Sequence, residues 1–301
     1  MQEPATRTIE ATRPAAGRAR FALCPPDYFD THFLFNPFMS YREKVDRRRA
    51  RAQWKRLKRT LEQAGAEVDV MEPTPVTSAL TFSADGALVY APHRALVLRN
   101  DGPRGDYEPA VFKSWLAERG FAVEALPPGL RMDGGNLLRL TSGDVVAGLK
   151  PHALGRPEVY LGKLLKLAGG GGEVSTVRLV DRRYLHLDMV VGVLRDDLLL
   201  AYRDGLLDGR LPDSGPLARA EVIDVGHEDA RRFACNVVVV GDLVITGPIS
   251  HRLAHQIAAR GFEVERLDLS EFYKAGGGAK CLTLPLWPLG ATLSQAPWEA
   301  T

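Results

Sequence analysis

Between Tyr41 and Ala64 the apolar side chains Trp54, Leu57 and Leu61 return at helical spacing. The spacing predicts one long helix, stopped by Gly65 at its C′ position. Beyond it the period shortens to that of strands, and the same phrase returns. Short alternating runs follow a turn at 65–70, 120–124, 172–177, 220–225 and 261–265, so that Val68, Val123, Val174, Val222 and Val264 recur every 42 to 55 residues. Each is accompanied by further apolar runs: Ala87–Tyr90 with Ala95–Leu98, Leu137–Leu140 with Asp144–Ala147, Met189–Val191 with Leu198–Leu200, and Asn236–Val240 with Leu243–Thr246. Ser142-Gly143 and Gly241-Asp242 supply hairpin turns, and a helix is predicted over 107–119. Five units of β, β, α, β are implied. Such units cannot bury their faces alone, and closing them into a ring removes the exposed edges. The expected fold is therefore α/β, a five-bladed α/β propeller of ββαβ units with pseudo-five-fold symmetry. It forms one domain over 19–301, behind a leader at 1–18 that is rich in Arg, Ala, Pro and Thr without periodicity and is expected to be disordered.

Charge and composition narrow the function without naming it. The chain has 301 residues, 45% hydrophobic and 25% charged, with a formal net charge of +2. That balance describes a globular protein with no global field to draw it onto nucleic acid. One basic run, Arg42 to Arg59, sets ten Lys or Arg against Glu43 and Asp46. It falls on the predicted helix, where the bases can occupy the solvated face, and it lacks interleaved aromatics for base stacking. No run reaches the roughly 18 apolar residues of a membrane span, and no signal peptide opens the chain, so a cytoplasmic protein is expected. A Gly-x-Gly-x-x-Gly after a strand is missing too, which leaves a dinucleotide fold unsupported. The cysteines Cys24, Cys235 and Cys281 stand at wide spacings that support neither a disulfide framework nor a zinc site. His251 and His255 share a helical face, but no third ligand accompanies them.

Candidate chemistry gathers where strands begin. Gly276-Gly277-Gly278-Ala279-Lys280-Cys281 places a thiol at the mouth of an apolar run. A thiol acts as a nucleophile when it ionises, commonly beside a histidine. In a ring of units, equivalent strand mouths converge on the axis. Three other mouths carry polar groups: Phe82-Ser83-Ala84-Asp85, Asp133-Gly134-Gly135-Asn136 and His186-Leu187-Asp188.

Taken in this order, these motifs resemble those of the guanidino-group-modifying enzymes of the pentein fold, which include arginine deiminases, dimethylarginine dimethylaminohydrolases and glycine amidinotransferases. The resemblance runs from about Phe21 to Leu286. It implies Cys281 as nucleophile, His186 as acid and base, and Asp133 as the acid that orients the imidazole. Asp85 and Asp188 would hold the guanidinium, with Phe82 and Asn136 beside them. A planar cation with five N–H donors suits in-plane carboxylates. No metal or organic cofactor is implied, and the expected partner is a small guanidino or ureido compound; a homodimer is the one assembly left open. The sequence departs from the pattern at Ala79, where many relatives carry a carboxylate, and at Asn136, where they carry Asp. Three functions follow: a hydrolase of guanidino C–N bonds, an amidinotransferase that passes the group to an amine, and a non-catalytic binding descendant.

Overall fold

The computed structural model describes residues 18–31, 43–100, 103–150, 155–168, 172–180, 183–212 and 214–286. The expected leader, apart from Arg18, lies outside them, as do His152 and Asn36–Met39, where the Asn-Pro pair predicts a turn.

Among the described residues five three-stranded sheets make up the fold. The first pairs β1 (Arg20–Leu23) in parallel with β2 (Glu67–Val70). The second holds β3 (Ala87–Ala91), β4 (Arg94–Val97) and β5 (Ala122–Ala125), and the third β6 (Leu137–Arg139), β7 (Val145–Leu149) and β8 (Val174–Arg178). The fourth holds β9 (Val191–Arg195), β10 (Leu198–Ala201) and β11 (Glu221–Asp224), and the fifth β12 (Val238–Val240), β13 (Leu243–Thr246) and β14 (Glu263–Arg266). In each of these four an antiparallel hairpin is followed by a strand parallel to its second member. The first sheet obtains its hairpin partner from the other end of the chain: β15 (Leu284–Pro285) runs antiparallel to β1, with Ala22 opposite Leu284. The ring is thus closed by joining the two ends of the described chain, and the expected five-bladed α/β propeller is what the chain forms.

A parallel pair needs a crossover, and helices supply it. α1 (Arg47–Gln63), α2 (Glu108–Ala117) and α3 (Pro157–Leu167) serve the first three sheets. α1 begins later than its spacing predicts, because the Asp46 carboxylate accepts from the Arg49 N–H at 3.0 Å and caps it there. It buries Ala50, Trp54, Leu57 and Leu61. Arg49, Arg51 and Arg56, on its outer face, pair with Asp268, Asp27 and Glu265. The fourth crossover differs from the ββαβ expectation. Between β10 and β11 the described chain makes only single 3₁₀ turns at Arg203–Gly205, Leu207–Gly209 and Pro216–Arg219. Gly205, Gly209, Gly215, Pro212 and Pro216 break any longer helix there, and Asp208 takes φ 54°. A four-residue α4 (His227–Ala230) then leads toward the fifth sheet, whose crossover is α5 (His251–Ala258); α6 (Ser270–Tyr273) precedes the glycine-rich segment.

The inner strands β3, β6, β9, β12 and β15 are mostly buried, and β3 is buried at all five positions. These strands wall a central channel of about 800 Å³, lined mainly by Val, Leu, Ala and Gly. One end meets Arg139, Arg195 and Asp242, while the other reaches the underside of Ala84, Gly134, Asp188, Cys235 and Lys280. Those last residues belong to the turns that feed the inner strands.

Candidate active site

Each inner strand is preceded by one tight turn. One-turn 3₁₀ helices at Ser83–Asp85, Gly134–Asn136 and Leu187–Met189 precede β3, β6 and β9, and looser turns ending at Asn236 and Cys281 precede β12 and β15. The five turns carry Asp85, Asn136, Asp188, Asn236 and Cys281 one to three residues ahead of their strands.

Hydrogen bonds lace the turns into a belt. Asp85 Oδ1 accepts from the Gly135 N–H at 3.2 Å, and Asn136 Oδ1 from the Leu187 N–H at 3.1 Å. Asn236 Oδ1 accepts from the N–H groups of Lys280 and Cys281 at 2.9 and 3.2 Å, while its Nδ2 donates to the Asp188 carbonyl at 3.4 Å. The Ala84 N–H donates to the Cys281 carbonyl at 3.2 Å and completes the circuit. Asp188 alone keeps its carboxylate out of the belt. Its Oδ1 is buried with no hydrogen-bond partner among the described residues, and its Oδ2 lies 3.6 Å from Cys281 Sγ.

The glycines that accompany these residues are required by contact. A Cβ at Gly135 would lie 2.5 Å from His186 Nδ1, and one at Gly278 would lie 2.8 Å from Asn236 Oδ1. The motif's second glycine thus gives the imidazole its place against the Asp85 turn.

His186 stands between two carboxylates, with Nε2 3.3 Å from Asp133 Oδ2 and Nδ1 3.6 Å from Asp85 Oδ1. Burial pulls the imidazole pKa down, yet Asp85 and Asp133 outweigh it, and the net displacement is upward. Asp133 is displaced the other way: burial raises it, but His186 and Lys150 hold the carboxyl below its ordinary range. Asp188 is pushed up to about 6, chiefly by burial, against the pull of His186 and Lys280. The Cys281 thiol is pushed well above its ordinary value by burial first and then by Asp188 and Asp85.

The structure therefore brings Cys281, His186, Asp133, Asp85 and Asp188 to one place, and it alters three expectations. The thiol's hydrogen-bond partners are Asn236 Nδ2, at 3.1 Å, and Asp188, not His186. Phe82 turns its ring to Phe29 and Phe272, 5.5 and 6.4 Å away between centroids, and packs over Gly277, so it wedges the nucleophile loop. Asn136 spends its side-chain oxygen on the next turn. Two neighbours escaped the sequence reading. Asn236 closes Phe233-Ala234-Cys235-Asn236, which repeats the Phe82-x-x-Asp85 spacing and could have been found by aligning the units. Lys150, whose Nζ lies 2.7 Å from Asp133 Oδ2, follows β7. The β6–β7 register, Leu137 opposite Ala147, carries Asp133 back toward that position.

No protein-family model matches the chain. Among curated proteins, it is 31% identical over 271 residues to the N(G),N(G)-dimethylarginine dimethylaminohydrolase of Mycobacterium tuberculosis, covering 89% of this chain and 86% of that one. The chain belongs to the guanidino-group-modifying enzymes of the pentein fold. Within that family it is also 34% identical over 277 residues to the bifunctional arginine dihydrolase/ornithine cyclodeaminase ArgZ of Synechocystis sp., covering 88% of this chain but only 37% of that protein. The chain spans well under half the length of that relative and of its counterpart AgrE from Nostoc sp.. The solved N-terminal domain of ArgZ, bound to product, superposes with a TM-score of 0.81 at 32% identity over 90% of this chain and 98% of that one. A variant of the same domain, covalently bound to a reaction intermediate, gives 0.80 over 89% and 98%. A dimethylarginine dimethylaminohydrolase adduct, at 19% identity and a TM-score of 0.70, shares the fold.

Proposed function

We propose that this chain is a cysteine-dependent hydrolase of the guanidino C–N bond, acting on arginine or an N-methylated arginine. The observation that carries the reading is Asp188. A buried carboxylate with one unpartnered oxygen, beside a buried thiol, is costly unless a cation completes it. A guanidinium would lay N–H donors on Asp188 and Asp85 and bring its central carbon to Cys281.

Chemistry then follows from the geometry. The arriving cation offsets the negative charge that holds the thiol neutral, so Cys281 releases its proton to solvent as the substrate binds. Sγ attacks the central carbon, forming an S–C bond and a tetrahedral centre. His186, through Nδ1 on the clamp side, gives a proton to the departing amine as that C–N bond breaks. Water then attacks the thiouronium adduct and loses one proton to His186; the S–C bond breaks as the remaining hydroxyl proton passes to sulfur, which frees the thiol and leaves a C=O bond. Water as acceptor is supported by the relatives, which are named a dimethylaminohydrolase and a dihydrolase.

Arginine and N,N-dimethylarginine, supplied separately, are expected to release ammonia or dimethylamine with wild type and nothing measurable with Cys281→Ser. Turnover of neither compound, or full activity in Cys281→Ser, would overturn the reading; product formed only when an amine acceptor is added would favour amidino transfer. The thiolate absorbance, wild type minus Cys281→Ser, is expected to move to lower pH on adding a guanidinium ligand.

A further inference from the structure

His186 faces a problem of excess attraction. Carboxylates approach both ring nitrogens, Asp133 at Nε2 and Asp85 at Nδ1, and Asp188 acts on it from its own turn. Beyond Asp188, Lys280 and the Cys281 thiol act on that carboxylate rather than on the ring. An imidazole clamped between two anions holds its proton tightly. As an acid it would be slow to give that proton up, and as a base it would already be occupied, whereas a group that must do both works best when it titrates near the working pH.

One cation meets this cluster from outside the sequence motifs. Lys150 leaves the end of β7 and sets Nζ 2.7 Å from Asp133 Oδ2, the same oxygen that faces His186 Nε2. The carboxylate is buried, while the lysine side chain is 24% exposed. Two donors thus compete for one oxygen. The ammonium fixes where that oxygen sits, keeps it ionised, and takes back part of its pull on the ring. We infer that Lys150 is a positioning residue for the proposed hydrolysis, holding Asp133 Oδ2 and offsetting its charge so that His186 can alternate between acid and base. The inference deepens the proposed function and rests on His186 acting in it. The direction of Lys150's influence on the imidazole, downward against the upward pull of Asp85 and Asp133, agrees with this role. A lysine that only braced the fold would not need to share the oxygen that faces the catalytic ring.

The test reads the histidine itself. In the full chain, the ¹⁵N imidazole signal of His186, assigned by its loss in His186→Gln, is titrated in wild type, Lys150→Met, Lys150→Gln and Lys150→Arg. Removing a cation at this distance is expected to raise the midpoint by about one pH unit in the Met and Gln variants, with Arg close to wild type. Glutamine retains a hydrogen-bond donor without the charge and serves if methionine does not fold. In the arginine assay, kcat at pH 7 is expected to fall about tenfold and recover above pH 8, with KM little changed. A His186 midpoint that stays within about 0.2 unit in the folded uncharged variants, or an unfolded protein with both of them, would overturn the inference. If wild type hydrolyses no guanidino compound, the proposed function fails while the titration still reads Lys150.

Discussion

At the scale of single residues, the site stores unfavourable charge where the substrate would relieve it. Asp188 is 1% exposed, its carboxylate stands outside the belt, and burial pushes that carboxyl up to about 6, so its ionised form opposes folding. The sign follows from the two states: the unfolded carboxyl ionises near its model value of 3.8, so the cost is absent below that, grows between 3.8 and about 6, and is complete above. Asp188→Asn is therefore expected to be inactive yet more stable than wild type at pH 8, by roughly 2 kcal/mol, with the difference gone near pH 4. Urea midpoints at the two pH values check this, and a difference independent of pH would show that the carboxylate is not the source. Cys24, raised to about 12 chiefly by burial, and Cys235, raised further by the same cause, are held as neutral thiols. Selectivity for Cys281 should accordingly appear with a cationic haloacetamidine and not with neutral iodoacetamide, because the acidic pocket recruits the cation and ionises the thiol with it.

The element that matters most is the tight turn before each inner strand. In the turns of the second, third, fourth and first sheets, Ala84, Gly135, Leu187 and Lys280 each give a backbone N–H to the preceding turn of the ring. The turns can hold side chains within ångströms because their backbones are bonded to one another. Gly135→Ala tests this: its methyl would meet the His186 ring at 2.5 Å and displace it from Asp85. A shift of this size is expected to lower kcat roughly 100-fold while the fold survives. Gly226→Ala, which meets nothing within 4 Å, should leave kcat unchanged. Comparable losses in both variants, measured as kcat alongside far-ultraviolet circular dichroism, would refute the contact argument.

For the whole molecule, closure of the ring and placement of the nucleophile are one event. β15 begins three residues after Cys281 and pairs with β1, so the last strand both completes the first sheet and delivers the thiol. Leu284, 1% exposed in the cluster that also holds Ala22, Met71 and Phe112, anchors that strand. Leu284→Ala is expected to cost about 2–5 kcal/mol. It should also expose Cys281 to neutral alkylating reagents under native conditions, since the strand that frays carries the thiol's turn. Chemical denaturation with parallel thiol labelling measures both, and destabilisation without faster Cys281 labelling would separate closure from placement.

The repeat of apolar runs, with valine markers 42 to 55 residues apart, sufficed for the fold, because a unit that cannot bury its own faces has few ways to close. The fourth crossover broke the expected pattern, because its glycines and prolines interrupt any longer helix. Cys281, His186, Asp133, Asp85 and Asp188 were legible as motifs because each sits beside a turn whose residues are constrained by backbone shape. What each side chain touches was not legible. That Asn236 rather than His186 holds the thiol, that Phe82 and Asn136 are turned to packing and to the belt, and that Lys150 shares an oxygen with the imidazole all depend on distances across sheets. Periodicity reports which face of an element is buried, while contact between residues far apart in the chain is decided only when the ring has closed and the turns have bonded to their neighbours.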